Sequence, residues 1–267
     1  MRVLAVMGTN RKGRTQEVVE RIDALFQEKG EPGFEYVYLK NQDIRFCTGC
    51  HNCILNGEDK CPIGDDVRNI EEKMLAANAV IFASPAYMMN VTAIMKNFLD
   101  RVAYNCHRPK YFGRKALLVS NSSPYATKAA VRAMRDFADS AGFECMDLQT
   151  AFLPMPLNEE AKQKEWRKVE QKAEAFYRAI AEPKQRRLNL GNLMLFNSIK
   201  TMAGLMPGTM KADYAYFKER GAYEGKPWYI DDVKIPLIPR LMSKIMTPML
   251  KRGMGSMIDR TGQEKEQ

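Results

Sequence analysis

Residues 79–101 read AVIFASPAYMMNVTAIMKNFLDR, and the change of pattern within this stretch decides the fold. AVIFA is apolar without a break, as in a strand buried on both faces, and Pro85 stops it. The segment VTAIMKNFLDRVA that follows reads as a helix. The same succession recurs on both sides. RVLAVMG at 2–8 is an apolar run ending in glycine, and TQEVVERIDALFQEKG at 15–30 carries Val18, Val19, Ile22, Leu25 and Phe26 at helical spacing. FEYVYLK is a β-branched and aromatic strand, DDVRNIEEKMLAAN a helix opened by acidic residues, and KALLVSNSS a strand. AAVRAMRDFADSAG is a helix closed by Gly142, and FECMDLQTAFL is a fifth strand. Strands alternating with helices to about residue 156 require right-handed crossovers, hence a doubly wound parallel sheet covered on both faces.

The 267 residues suit one domain with an appendage, and 45% hydrophobic with 27% charged residues exclude wholesale disorder. The opening MRVLAVMGTN carries no signal-peptide pattern, and no long uncharged apolar run follows. A cytoplasmic protein is therefore expected. The net charge of +9 is uneven: residues 1–156 carry +2 and residues 157–267 carry +7. No basic stripe interleaved with aromatics appears, so nucleic acid is not an expected partner.

Ligands of an open parallel sheet bind where strands end. The first such loop, GTNRKGRT at 8–15, leads straight into a helix. Its backbone N–H groups, the helix's positive end, two hydroxyls and Arg11 or Arg14 form a receptacle for phosphate. It is neither a Walker loop nor a GxGxxG fingerprint. The second, SPAYMMN at 84–90, offers an aromatic ring, two thioethers and backbone amides to a planar ligand. The third, SNSSPY at 120–125, is rich in small hydroxyls and amides.

The first loop together with SPAYMMNVTAIMKNFLDR resembles the NADPH-dependent FMN reductase family of flavodoxin-like proteins over residues 1 to about 155. The resemblance implies a five-stranded flavodoxin-like α/β sheet, bound FMN and NAD(P)H as co-substrate. By it, Thr9, Arg11, Gly13, Arg14 and Thr15 would hold the FMN phosphate. Pro85, Ala86, Tyr87, Met88 and Met89 would line the ribityl chain and ring, with Ser120 and Ser122 at the pyrimidine edge. The protein would supply position and electrostatics, so no catalytic acid or base is expected. Asp100 and Arg101 read as a helix-surface ion pair or an oligomer contact.

The segment 46–66, FCTGCHNCILNGEDKCPIGDD, spaces cysteines as Cys47-x2-Cys50-x2-Cys53-x7-Cys61, with Pro62 after the fourth. This is close to the compact ferredoxin run, and four soft thiolates select iron–sulfur or zinc. Gly49 and Gly57 allow tight turns around a cluster. The arrangement resembles that of the iron–sulfur flavoproteins, which implies a [4Fe–4S] cluster. Cluster-free thiols or a reversible disulfide, zinc, and plain packing remain the alternatives. Cys106 and Cys145 read as buried bystanders, and His51 as a surface residue.

An amphipathic helix over 158–181 completes a domain of residues 1–182. Residues 183–267 form an appendage with nine of the 18 methionines and no strand–helix alternation. Residues 188–206 read as an amphipathic or interfacial helix. Around 237–251, Leu237, Leu241, Ile245 and Met249 fall at four-residue steps, with Arg240, Lys244 and Lys251 on another face. Such a helix packs on the core or on another subunit of a homodimer or homotetramer, or lies at the inner face of the membrane. GKPWYIDDVKIP reads as an ordered extension. The expected function is FMN-dependent electron transfer from NAD(P)H or a protein donor to an acceptor through a [4Fe–4S] cluster. The alternatives are a cluster-free FMN or quinone reductase, a non-enzymatic FMN electron carrier, and a zinc-stabilised module without flavin.

Overall fold

Apolar runs with no polar alternation can be satisfied only inside a sheet covered on both sides, and the computed structural model builds that sheet. It describes residues 1–152, 157–184, 188, 190–224 and 234–257. The chain divides into two compact units: Met1–Thr48 with Asp65–Asn105 and Pro109–Lys184, and Gly49–Gly64 with Cys106–Arg108 and Gln185–Gln267.

The first unit holds strands β1 (Val3–Met7), β2 (Glu35–Tyr38), β3 (Ala79–Ala83), β4 (Lys115–Asn121) and β5 (Glu144–Thr150). They pair in parallel in the order β2-β1-β3-β4-β5, with Val6 opposite Phe82 and Phe82 opposite Leu118. The flavodoxin-like order places the switch point between β1 and β3, where strands leave in opposite directions across the sheet. Side chains alternate across the pleat. Val3, Ala5, Met7, Ile81, Leu117 and Val119 face helices α1 (Arg14–Gln27) and α6 (Glu159–Ala181), where Phe26 meets Phe176. Phe82 faces the other way, edge-on to Phe137 of α5 (Pro124–Ala141) and to Phe143. The remaining helices of this unit are α3 (Val67–Ala76) and α4 (Ala93–Arg101).

Asp100 and Arg101 do not pair with each other, because neighbouring helix positions point apart. Lys96 takes Asp100 one turn away. Arg101 turns inward to Asp65, whose side chain is buried, and also donates to the Arg45 carbonyl at 2.7 Å. Arg45 N–H in turn donates to Asp65 at 3.0 Å, and Asp43 and Asp66 exchange hydrogen bonds beside them. The two ends of the cysteine-bearing excursion are thus clamped by one arginine.

The second unit contains the short α2 (Asn52–Leu55), then α7 (Leu190–Leu205), α8 (Lys211–Glu219) and α9 (Leu237–Met257). Among its described residues the extension is helical, as expected. α8 carries too few turns to announce itself by periodicity. Of the aromatic segment at 225–236, residues 225–233 lie outside the described residues. Cys106 and Cys145 are half-buried rather than buried. Among the described residues no helix is long and apolar enough to cross a membrane.

Candidate active site

Three strand-end loops of the first unit meet in a cleft of about 260 Å³. Close approach of the first two depends on Gly8, whose N–H donates to the Ala83 carbonyl at 2.7 Å. A Cβ there would stand 2.8 Å from Met95 Cβ, so only glycine allows the contact. Thr92 fastens the same junction. Its hydroxyl donates to the Gly8 carbonyl at 2.7 Å and caps α4 by accepting from Met95 N–H, while its own N–H donates to Ser84 Oγ.

Thr9, Arg11, Gly13, Arg14 and Thr15 line this cleft, and so do Pro85, Ala86, Tyr87 and Ser122. The α1 N-terminus begins at Gly13 without any side-chain cap. Its first N–H groups therefore remain available to an anion. Thr9 is 4% exposed and its Oγ1 has no hydrogen-bond partner among the described residues. A buried hydroxyl left empty in a polar cleft beside an uncapped helix end and Arg11 fits a phosphate group.

Met88, Met89 and Ser120 do not line the cleft. Met88 and Met89 form the tip of a tight turn in which Tyr87 and Asn90 exchange backbone hydrogen bonds of 2.9 and 3.0 Å. Both methionines have positive φ, 44° and 61°, and Met88 is 96% exposed. Ser120 lies inside β4, fully buried, its hydroxyl also without a partner among the described residues.

Asn10, Asn121 and Phe152 line the cleft although the sequence reading did not single them out. Asn121 ties the third loop to the end of β5, accepting from Phe152 N–H at 2.9 Å and from Thr150 Oγ1 at 3.0 Å. It also donates to the Phe152 carbonyl at 3.0 Å. That grip presents the Phe152 ring, over which the Arg14 guanidinium lies at 5.9 Å. The available signal was position: both lie at the carboxyl ends of predicted strands.

The cysteine segment is divided between the units, with Cys47 in the first and Cys50, Cys53 and Cys61 in the second. Cys47 and Cys50 are exposed, Cys53 and Cys61 half-buried. Gly49 and Gly57 have φ of +68° and +117°, and His51, in the left-handed region, stands at the N-cap position of α2 without a side-chain capping bond. Among the described residues no three His, Cys, Asp or Glu side chains are gathered to hold a metal ion. The donor chemistry suits a cluster, and metal sites of this kind assemble as the metal binds.

His107 and Arg108, which no sequence motif includes, organise this segment within the second unit. Arg108 donates to the carbonyls of Cys53 at 2.6 Å and Ile54 at 3.1 Å and pairs with Glu58 and with fully buried Asp213. His107 Nδ1 lies 2.8 Å from the other Asp213 oxygen.

The family model of the NADPH-dependent FMN reductases matches residues 1–153. The chain belongs to that family. An iron–sulfur flavoprotein of Archaeoglobus fulgidus is 32% identical over 233 residues, covering 83% of this chain and 99% of the relative. The likeness therefore extends beyond the residues matched by the family model. A second iron–sulfur flavoprotein, from Methanosarcina thermophila, is 37% identical over 103 residues, 38% of this chain and 52% of the relative. Among solved structures, RosB bound to 8-demethyl-8-formylriboflavin-5'-phosphate has a TM-score of 0.52 at 14% identity. It covers 89% of this chain and 92% of that one. A flavone reductase has a TM-score of 0.52 at 16% identity, over 68% and 64%. Both structures share the fold. The reductase is thus a flavin-dependent oxidoreductase with a flavodoxin-like sheet and a helical extension.

Proposed function

We propose that this reductase holds FMN by its phosphate at the α1 N-terminus, takes electrons from NAD(P)H, and delivers them to an acceptor through a [4Fe–4S] cluster on Cys47, Cys50, Cys53 and Cys61. The observation that carries the flavin site is the orphaned, buried Thr9 hydroxyl beside an uncapped helix end. Arg11 adds charge, and Thr15 adds a second hydroxyl at the first turn. The cleft is slightly smaller than usual small-molecule sites. It suits the phosphate and ribityl portion, with Tyr87, Met88 and Met89 supplying an apolar edge for the ring. FMN, when bound, accepts hydride as an electron pair and can release electrons singly.

The protein's own part is positional. Gly8 and Thr92 hold the two loops together, Asn121 fixes Phe152, and no side chain is required as acid or base. The cluster reading is supported by the thiolate spacing and by the similarity to proteins named iron–sulfur flavoproteins. A cluster-free reductase is the second reading, favoured by the match of the NADPH-dependent FMN reductase model to residues 1–153, since flavin reduction by itself needs no cluster. Exposed Tyr125, three residues beyond Ser122, offers an apolar contact for a second subunit of a homodimer or homotetramer.

The test is an absorption spectrum of anaerobically purified protein, with flavin, iron and acid-labile sulfide assayed on the same sample. One flavin and about four irons per chain are expected, with bleaching of the flavin bands on adding NADPH. Flavin without iron after anaerobic handling would select the cluster-free reading. Protein without flavin that binds none on titration would overturn both.

A further inference from the structure

A helix that stabilises a folded unit turns its apolar side inward. α9 does the reverse. It packs on α7 with a polar edge: Ser243, 4% exposed, accepts from Asn197 Nδ2 at 2.7 Å. On the opposite side, by the 3.6-residue period, Leu237, Leu241, Ile245 and Met249 point to solvent, with Leu237 69% and Ile245 67% exposed. Ile238 and Met242 widen that exposed stripe.

The flank between the two sides is basic. Lys200 of α7 and Arg240, Lys244 and Lys251 of α9 line a cleft of about 520 Å³ between the helices, beside Thr201 and Thr247. Neither helix contains an aspartate or glutamate, and none of the four cations meets a carboxylate among the described residues. Arg252 adds a further exposed cation near the end of the stripe.

We propose that α9, with the cationic cleft beside it, docks the protein on an anionic phospholipid bilayer. The apolar stripe enters the headgroup–acyl boundary while the cleft cations meet lipid phosphates. Charge decides against a second copy of this chain as the occupant. Two α9 helices joined stripe to stripe would crowd Arg240, Lys244, Lys251 and Arg252 of both copies along the edges of one seam, with no acid on α7 or α9 to offset them. A bilayer supplies both chemistries at once.

The experiment is co-sedimentation of the full chain with phosphatidylcholine vesicles containing either no phosphatidylglycerol or about one third. Binding should rise at least tenfold with the anionic lipid and fall as salt is added. Ile245→Ser with Met249→Ser should weaken binding about tenfold while leaving the circular dichroism spectrum unchanged, since both side chains are exposed. Arg240→Glu with Lys244→Glu should remove the preference for phosphatidylglycerol. Absence of binding, equal binding to both vesicle types, or binding indifferent to both double substitutions would overturn the proposal. So would a sedimenting dimer that Ile245→Ser with Met249→Ser converts to monomer, since the stripe would then be covered by a second copy.

Discussion

Thr9 concentrates the argument for the flavin site in one atom. A buried hydroxyl without a partner costs free energy in the empty protein, about 1–3 kcal/mol, and is tolerated where a ligand completes it. Thr9→Val keeps the shape and removes the hydroxyl. The expected result has opposite signs in two measurements. Thermal or urea unfolding of the flavin-free protein should show equal or greater stability, whereas FMN affinity by fluorescence titration should fall roughly 10-fold or more, the range of a hydrogen bond to a charged group. Unchanged affinity would place the phosphate elsewhere. Asn121 and Phe152 also belong at this scale. Their residue types were visible, but their roles arise from hydrogen bonds between separate strand ends.

Among the elements, the turn between Tyr87 and Asn90 is the one that breaks a local rule. Two consecutive positive φ angles define a type I′ geometry, which favours Asn-Gly and disfavours side chains such as methionine. Each methionine held there costs on the order of 1 kcal/mol. Met88→Asn with Met89→Gly should therefore raise the stability of the flavin-free protein by about 1–2 kcal/mol, read from a urea midpoint. It should also slow flavin reduction by NADPH in stopped flow, because the thioethers proposed for the ring edge are lost. A faster or equal rate would remove the methionines from the site. Helix α4 teaches a related lesson: adjacent Asp100 and Arg101 invite pairing on paper, but a helix points them to different partners.

Over the whole molecule, the chain leaves the sheet unit at Thr48 and returns at Asp65, and the neck of that excursion is held by Arg101. Burial alone would raise the Asp65 carboxyl. Arg101 and the N–H groups of Arg45 and Val67 outweigh it and hold the carboxyl below its ordinary range. A carboxylate with a lowered folded value stabilises fully above the ordinary carboxylate range and loses that contribution as pH falls through the lowered value. Asp65→Asn removes the charge that Asp65 sets against buried Arg101 and should cost roughly 3–5 kcal/mol at pH 7. Urea titrations at pH 7 and pH 3 should show the gap between the two proteins narrowing in acid. A constant gap would mean that Asp65 acts by shape rather than charge.

The five strands, the helices between them and the phosphate-type first loop were legible from residue patterns, because period and punctuation are local properties of the chain. So were the cysteine spacing and the amphipathic character of 237–251. Other features required the folded chain. The crossovers bring Asn121 and Phe152 to Thr9 and Asp65 to Arg101, and the helical extension brings Asp213 to Arg108. Residues distant in sequence share no period, so no pattern marks them as partners. The outward direction of the α9 apolar face is of the same kind: periodicity states that a helix has two sides, and only packing against α7 decides which of them remains in water.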